Sequence, residues 1–459
     1  MRREPGRIEG MIPDGPNSPM LWQSVNFLSR PTAYASRLAS RYGDAWRFHT
    51  LVGKGVAFCE ASLAREFFAA PPDTFVPHPI VGSIFGARAV IATSGPTHRR
   101  QRKLLNPNFA VARIRALYGA MQRVIREHVE RAFGEAAQTR RPVVLADLAQ
   151  AMTLDVILET VFGASEGLDR ERARTVLVGI VHGFSPALLA SHRLHRRLNP
   201  AWRRFHDARI AFDAWVDEVI AARRRRGAES SLGDDVLGVL LAARYDDGEP
   251  MSDAEIRDQL GTLLLAGHET SAIAIAWGVY WLLREPAVLA KLRTHLDALG
   301  SDPTADMLTK ERYLQATVSE SLRIEPIVSD VLRECRLPLT VGKWTVPAGR
   351  MAVVMSCAIL SDPRTFPEPR RFRPERFLER TFHAGEFMPF GGGQRRCLGA
   401  AFAEAELAIA LGTIASEWEL RLADRRPESP VRRNITMGPK RGVVVEVVGR
   451  RRPTSPAIT

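Results

Sequence analysis

The stretch Leu260–Leu283 constrains this chain more than any other. It is almost continuously apolar and long enough to cross a bilayer. Its centre, however, carries His268, Glu269, Thr270 and Ser271, where charge in lipid is most costly. Its start is that of a water-soluble helix: Ser252 followed by Glu255 forms a capping box. Arg284-Glu285-Pro286 stops the pattern at the other end. The helix would run about 32 residues, roughly 48 Å at 1.5 Å per residue. A helix that long and apolar all round must cross the core of a large domain.

The surrounding sequence supplies that domain. At roughly 150 residues per domain, 459 residues allow about three domains or one unusually large one. Apolar residues at 45% and charged residues at 25% exclude disordered, collagen-like and coiled-coil chains. Ala110–Glu135, Leu148–Phe162 and Phe205–Arg225 show helical apolar spacing. Pro286 opens another helix, and Lys310–Ile324 forms one closed ahead of Pro326. Strand signals are short: Trp46–Leu51, Leu337–Val346 with a turn at Gly342-Lys343, Met351–Cys357 and Val443–Val448. The expected class is mainly α with small β-sheets, without internal repeats. Residues 1–20, broken by Pro5, Pro13, Pro16 and Pro19, read as irregular. Arg223–Ser231 reads as a loop and residues 450–459 as a disordered tail.

Lys and Arg number 64 against 51 Asp and Glu, a net charge of +13. Such a balance suits nucleic acid, an anionic membrane or an acidic protein partner. The basic residues are spread along the chain with no basic tail, which argues against nucleic acid. Cys59, Cys335, Cys357 and Cys397 form no C-x-x-C pair, so zinc-ribbon and thioredoxin-type chemistry drop out. So few thiols, and no signal-like or anchoring stretch near the start, lead us to expect a soluble cytoplasmic protein. Asn434-Ile435-Thr436 matches a glycosylation sequon and reads as coincidence in that setting.

The strongest chemical signal is Phe390-Gly-Gly-Gly393-Gln-Arg395-Arg-Cys397-Leu-Gly399, a lone cysteine in a glycine-rich loop before the helix-forming run Ala400–Leu411. The helix N-terminus and Arg395 and Arg396 favour thiolate over thiol. Glycines let the backbone approach a flat ligand and let N–H groups reach the sulfur. On residues alone, a structural cysteine beside a turn stays open. A phosphate loop is excluded, since no Gly-Lys-Ser/Thr follows. The segment resembles the haem-binding loop of the cytochrome P-450 family, F-x-x-G-x-R-x-C-x-G, at all five fixed positions. By that resemblance Cys397 is the axial thiolate of haem b, donating electron density that favours O–O cleavage.

Three further motifs follow the family's order and spacing. Glu320-Ser-Leu-Arg323 precedes Phe372-Arg-Pro-Glu-Arg376-Phe377, and the resemblance joins Glu320, Arg323 and Arg376 in a structural ionic triad. Ala266-Gly267-His268-Glu269-Thr270-Ser271 fits small-Gly-x-acid-Thr. By resemblance Ala266 and Gly267 open a groove beside the haem, Thr270 hydrogen-bonds the activated dioxygen, and Glu269 links it to a proton-delivering water chain. Gly267 inside a helix costs about 1 kcal/mol relative to Ala, which calls for a reason. H-E-x-x-H zinc chemistry would need histidine where Ala272 stands, and His268 reads as a satisfied buried histidine. His98-Arg-Arg-Gln-Arg102 places His98 and Arg102 on one helical face. They match the family's propionate contacts, with Arg395 and Arg333 as further cations. Arg99, Arg100 and Lys103 read as a solvated face, and Arg99, Arg100 and Arg396 as a basic docking patch.

The resemblance runs from about Tyr42-Gly43-Asp44 to the last strand. It implies one catalytic domain, residues 21–449, around a buried haem. The implied function is a haem-thiolate monooxygenase inserting one oxygen atom of O2 into a hydrophobic small molecule, such as a fatty acid, terpenoid or polyketide-like compound. Electrons would come from a ferredoxin or flavodoxin with its NAD(P)H-dependent reductase, since no flavin or iron–sulfur segment is evident. A monomer without stable membrane insertion is expected. Other readings are a peroxide-driven peroxygenase of the same fold or a non-catalytic haem-binding sensor. Phe75–Val90, Gly183–Leu198, Leu263–Ala274 and Ile327–Leu332 would line the substrate pocket. His192, Arg193, His195, Arg196 and Arg197 read as a solvated face, or else a lid meeting a substrate carboxylate or a membrane surface.

Overall fold

The computed structural model describes residues 11–163, 169–183, 199–227 and 235–451. Its axis is the expected long helix, Asp253–Arg284. The capping box is formed in full: the Glu255 amide donates to the Ser252 hydroxyl at 3.2 Å, and the Ser252 amide donates to the Glu255 carboxylate at 2.9 Å. This central helix packs against Leu145–Phe162 on one side and Ala400–Glu417 on another, both buried over most of their length. The approach is close at two glycines. A Cβ at Gly278 would lie 2.8 Å from Leu411 Cδ1, and one at Gly267 would lie 2.9 Å from Ile157 Cδ1. Among the described residues no single helix is long and apolar enough to cross a membrane. The central helix and Pro286–Asp297 meet that requirement only as a pair bent by 107°.

One expected helix is divided and another starts late. Ala110–Glu135 becomes Val111–Ala116 and Tyr118–Thr139, separated by Leu117 at φ −91°, ψ −8°, the bridge region where chains turn. Lys310–Ile324 is found as Arg312–Ile324, starting two residues late, and a separate helix Ala305–Lys310, which was not expected, precedes it. Glu311 is extended between them, and its carboxylate accepts the Tyr313 amide at 3.1 Å as a new N-cap. Glutamate is an uncommon N-cap, so the break left little trace in the pattern. Phe205–Arg225 is extended to Pro200–Gly227, with proline at the tolerated first position.

The largest sheet has five strands in the order Ala45–Thr50, Gly53–Phe58, Met351–Val354, Val331–Cys335, Phe75–Val76. Gly53–Phe58 runs parallel to Met351–Val354 and the other pairs are antiparallel. The expected strand Met351–Cys357 stops at Val354, because Ser356–Ile359 coils into a helical turn. Leu339–Val341 and Trp344–Val346 form the expected hairpin, with Gly342 at φ +54° in its turn. A three-stranded sheet joins Val143–Val144, Val444–Arg450 and Trp418–Leu422, and a second hairpin pairs Pro430–Arg432 with Met437–Pro439.

The chain ends differ from expectation. Residues 11–19 are irregular but docked: the Asp14 carbonyl accepts from the Arg47 amide at 3.1 Å, and the Met11 carbonyl from the Thr345 amide at 3.1 Å. Met20 already begins a helix. Arg450, expected in a disordered tail, ends a strand. Arg451 is buried in a bidentate pair with Asp297 at 2.7 and 2.5 Å. Arg223 to Gly227 remain helical, with Arg223 bonded to Asp235 at 2.8 Å. The remainder of that expected loop, most of Gly183–Leu198 with its basic residues, and the last eight residues lie outside the described residues.

Candidate functional site

Cys397 lies between the 3₁₀ turn Gly393–Arg395 and the helix Ala400–Glu417, for which Gly399 is the N-cap. Its amide donates to the Phe390 carbonyl at 2.9 Å, which closes the loop on itself. The Gly399 amide hydrogen-bonds the sulfur, as expected of a backbone that tunes a ligand. Cys59, Cys335 and Cys357 are buried, whereas Cys397 is exposed. Yet burial dominates its acidity and pushes the thiol above its ordinary value, against the pull of the Gly399 amide, Arg396 and Arg102. The sulfur is thus accessible yet closely surrounded by protein. The thiolate expected from the helix N-terminus is therefore not favoured by the chain alone. A cation bound at the sulfur would take the proton off.

The loop glycines divide by what they face. A Cβ at Gly392 would meet the Phe68 ring at 2.6 Å, and one at Gly393 would meet the Phe68 carbonyl oxygen at 2.2 Å. Gly393 also has φ +64°, the left-handed region glycine tolerates best. These two let the loop pass the end of helix Ala61–Ala69. A Cβ at Gly399 would meet nothing within 4 Å. Of the three, only Gly399 leaves room for a flat ligand. Phe390 is partly buried against the main core, with the Arg396 guanidinium 5.8 Å over its ring.

The expected cations converge beside this loop. His98 is 3% exposed, and its imidazole is held down to about 4 by burial and then by Arg395, Arg102, Arg333 and Arg99. Burial and Arg395 lower Arg333 to about 10, and burial and Arg102 lower Arg395. Arg102 is lowered by burial while Cys397 pulls it back up, which places the cations next to the sulfur. Their donors go to backbone carbonyls: Arg102 to Arg396 at 3.0 Å, Arg395 to Thr93 at 2.7 Å, and Arg333 to Leu332 at 3.0 Å. Arg102 Nε is buried without a partner. Among the described residues none of these three arginines forms an ion pair with a carboxylate. Partly buried like charges without counter-ions among the described residues suit a ligand that brings two carboxylates, and the open space at Gly399 leaves room beside the loop. The residues present fit haem.

The middle of the central helix carries the second expected motif, on a helix that packs against the one following Cys397. Ala266 is exposed in an otherwise largely buried stretch. The Thr270 hydroxyl donates to the Ala266 carbonyl at 2.6 Å, one turn back on the same face. Gly267 does not share that face, because the place of its missing Cβ is filled by Ile157. Helix–helix packing therefore accounts for Gly267. His268 is buried as expected but only half satisfied: Nε2 donates to the Gln150 carbonyl at 3.0 Å, Nδ1 is buried without a partner, and burial lowers its basicity.

The Glu269 carboxylate accepts from Asn434 Nδ2 at 3.2 Å and Thr436 Oγ1 at 3.3 Å. The sequon asparagine is thus 8% exposed and engaged, which is why the motif does not present a glycosylation acceptor. Sequence reasoning missed both partners, since nothing local connects residues so far apart. It also missed Glu406, 1% exposed on the helix after Cys397, whose side chain bonds Ser271 and whose acidity burial shifts up to about 8.

Glu320, Arg323 and Arg376 meet as expected, at 0%, 1% and 4% side-chain exposure. Arg323 donates to both Glu320 oxygens at 2.6 and 2.8 Å, and Arg376 Nε to one at 3.1 Å. The Arg373 amide adds a fourth bond at 2.8 Å, tying the segment before the Cys397 loop to this helix. The surface cations differ from the expected docking patch. Arg99 pairs with Asp73 at 3.2 Å, Arg100 with Asp247 at 2.7 Å and Lys103 with Asp246 at 2.7 Å. Their charge is met by the chain's own carboxylates, which leaves Arg396 of that patch without an ion pair among the described residues.

The comparisons agree with this geometry. The family model described as Cytochrome P450 matches residues 13–445. The Mycobacterium tuberculosis protein named cytochrome P450 135A1 is 32% identical over 449 residues, covering 96% of each chain. That named cytochrome P450 137 from the same organism is 35% identical over 433 residues, covering 92% of this chain and 87% of its own. In fold, the chain superposes on a retinoic acid-bound cyanobacterial CYP120A1 with a TM-score of 0.84 at 24% identity, covering 96% of this chain and all of the other. The haem domain of cytochrome P450DA gives 0.82 at 23% identity, covering 96% and 98%. The chain belongs to the cytochrome P450 family, the haem-thiolate monooxygenases.

Proposed function

We propose that Cys397 would hold the iron of haem b, and that His98, Arg102, Arg333 and Arg395 would hold its two propionates. The haem supplies the redox-active iron at which one oxygen atom of O2 is passed to an organic substrate. The observation that carries the reading is the group of partly buried arginines beside Cys397 and buried His98, whose guanidinium donors reach carbonyls and, among the described residues, no carboxylate. Phe390, Gly393 and Gly399 shape the loop, with Gly399 leaving space over the sulfur. Glu320, Arg323 and Arg376 anchor the segment that leads into that loop. Ala266 keeps the opposite wall low. Thr270 offers a hydroxyl at that wall, and Glu269 holds or passes a proton next to it.

The substrate is an apolar small molecule of the fatty acid, terpenoid or polyketide-like kind, in keeping with the aliphatic character of the segments expected to line the pocket. Electrons arrive from a ferredoxin or flavodoxin with its NAD(P)H-dependent reductase, for whose docking exposed Arg396, beside Cys397 and without an ion pair among the described residues, offers a cation. The enzyme works as a cytoplasmic monomer, one catalytic domain over residues 21–449.

The test is the carbon monoxide difference spectrum of the dithionite-reduced protein. The expected result is the strongly red-shifted Soret band of a thiolate-ligated carbonyl complex, lost in Cys397→Ala. Haem bound without that shift, or a shift that persists in the variant, would refute the assignment.

A further inference from the structure

Glu269 is gripped from outside its own helix. Asn434 and Thr436, in the loop joining Pro430–Arg432 to Met437–Pro439, each donate to a different carboxylate oxygen, at 3.2 and 3.3 Å. Both donors are buried, at 8% and 1% exposure. The loop that carries them is itself fixed. The Met437 amide donates to the Ile327 carbonyl at 2.8 Å, and Trp277 Nε1, two turns further along the central helix, donates to the Met437 carbonyl at 3.3 Å. The Arg433 amide donates to the Thr436 carbonyl at 3.0 Å across the turn.

The chemistry of the two donors is selective. Neither carries charge, and Glu269 forms no ion pair among the described residues, so its position is set without a salt bridge. The Asn434 amide can only hold. The Thr436 hydroxyl can hold and can also turn to accept, so a proton can sit on Oε1 without breaking the contact. A surface carboxylate on a flexible side chain would need neither partner.

We infer that Asn434 and Thr436 are positioning residues for proton delivery by Glu269. The inference rests on the proposed role of the Glu269–Thr270 pair. The productive reaction takes RH, O2, two electrons from the external reductant and two protons to ROH and H2O. When delivery of those protons at the oxygen end is impaired, O2 takes the same two electrons and two protons and leaves as H2O2, with no C–H bond broken. A loosened Glu269 therefore shifts reducing equivalents from product to peroxide.

The experiment compares parent, Thr436→Val, Thr436→Ser and Asn434→Ala holoenzymes with a surrogate ferredoxin and reductase. Hydrogen peroxide per NAD(P)H is measured with and without dodecanoic acid as probe. Thr436→Val and Asn434→Ala should raise it at least threefold, Thr436→Ser should return it to near the parent value, and all should keep the parent's carbon monoxide spectrum. A second readout does not depend on turnover: urea unfolding of Thr436→Val, Glu269→Gln and the double variant. The two changes should be non-additive by at least about threefold in the unfolding constant, as for residues in contact. Additive changes, or peroxide unchanged in Thr436→Val, would overturn the inference. A parent without the thiolate-type carbon monoxide band would sink the monooxygenase reading and the delivery role with it, while non-additivity would still show the grip on Glu269.

Discussion

Glu320→Ala offers a direct measure of what holds the Cys397 region together. Glu320 is fully buried and accepts four hydrogen bonds, three from Arg323 and Arg376 and one from the Arg373 amide. Truncation leaves two guanidiniums, 1% and 4% exposed, facing each other without an anion. Removing one partner of a buried pair costs ~3–5 kcal/mol. The arginines keep bonds to the carbonyls of Leu360, Pro367 and Arg371, which hold the loss near ~4 kcal/mol rather than twice that. With a urea slope of about 4 kcal/mol per M for a chain this large, the midpoint should fall by about 1 M. Haem retention should fall with it. Glu127→Ala is the control, since Glu127 faces Arg123 at 3.4 Å with both side chains about half exposed. Such a helix-surface pair is worth ~0.3–0.5 kcal/mol. A Glu320→Ala midpoint no lower than that of Glu127→Ala would refute the reasoning.

Two further outcomes follow from the site. Glu406 should stay neutral in the folded protein to about pH 8, against 4.5 for an ordinary glutamate, because it is buried beside Ser271. A raised folded value means that stability is fully present below pH 4.5 and drains as pH rises toward 8, by ~1.4 kcal/mol per unit at most. Glu406→Gln should remove that slope in urea titrations across the window, and an unchanged slope would assign the burial cost elsewhere. Gly393→Ala and Gly399→Ala should separate folding from loading. The first must adopt φ +64° with the Phe68 oxygen in its way, and should cost ~3 kcal/mol or more. The second should leave the urea midpoint within ~0.5 kcal/mol while weakening haem binding, read by haem titration. Equal midpoints in the two variants would contradict the division drawn between these glycines.

What the sequence disclosed is what neighbouring residues decide between themselves. The central helix was legible because its cap, its apolar run and its stop lie in one unbroken segment. The Cys397 loop was legible for the same reason. The breaks at Leu117 and Glu311 were hidden, since a single turn residue and an uncommon cap leave the apolar periodicity nearly intact. The strand Gly53–Phe58 was missed although it forms a hairpin with Ala45–Thr50, because Gly53-Lys54-Gly55 carries little strand propensity. Side-chain partners were the least legible of all. Nothing near Arg100 announces Asp247, and nothing near Glu269 announces Asn434. Charge composition alone therefore overstated the docking patch, and an apparent sequon concealed a carboxylate anchor.

Three arginines drawn together around a neutral histidine, with no acid among them, resist their own assembly. A ligand bearing two negative groups turns that resistance into attraction, so the stability of the fold and its affinity for the ligand become one quantity. For the living cell this makes tetrapyrrole supply a quality-control signal. Polypeptide made faster than pigment would linger in a looser form open to proteases, and the enzyme's abundance would follow iron and porphyrin status more closely than its messenger RNA.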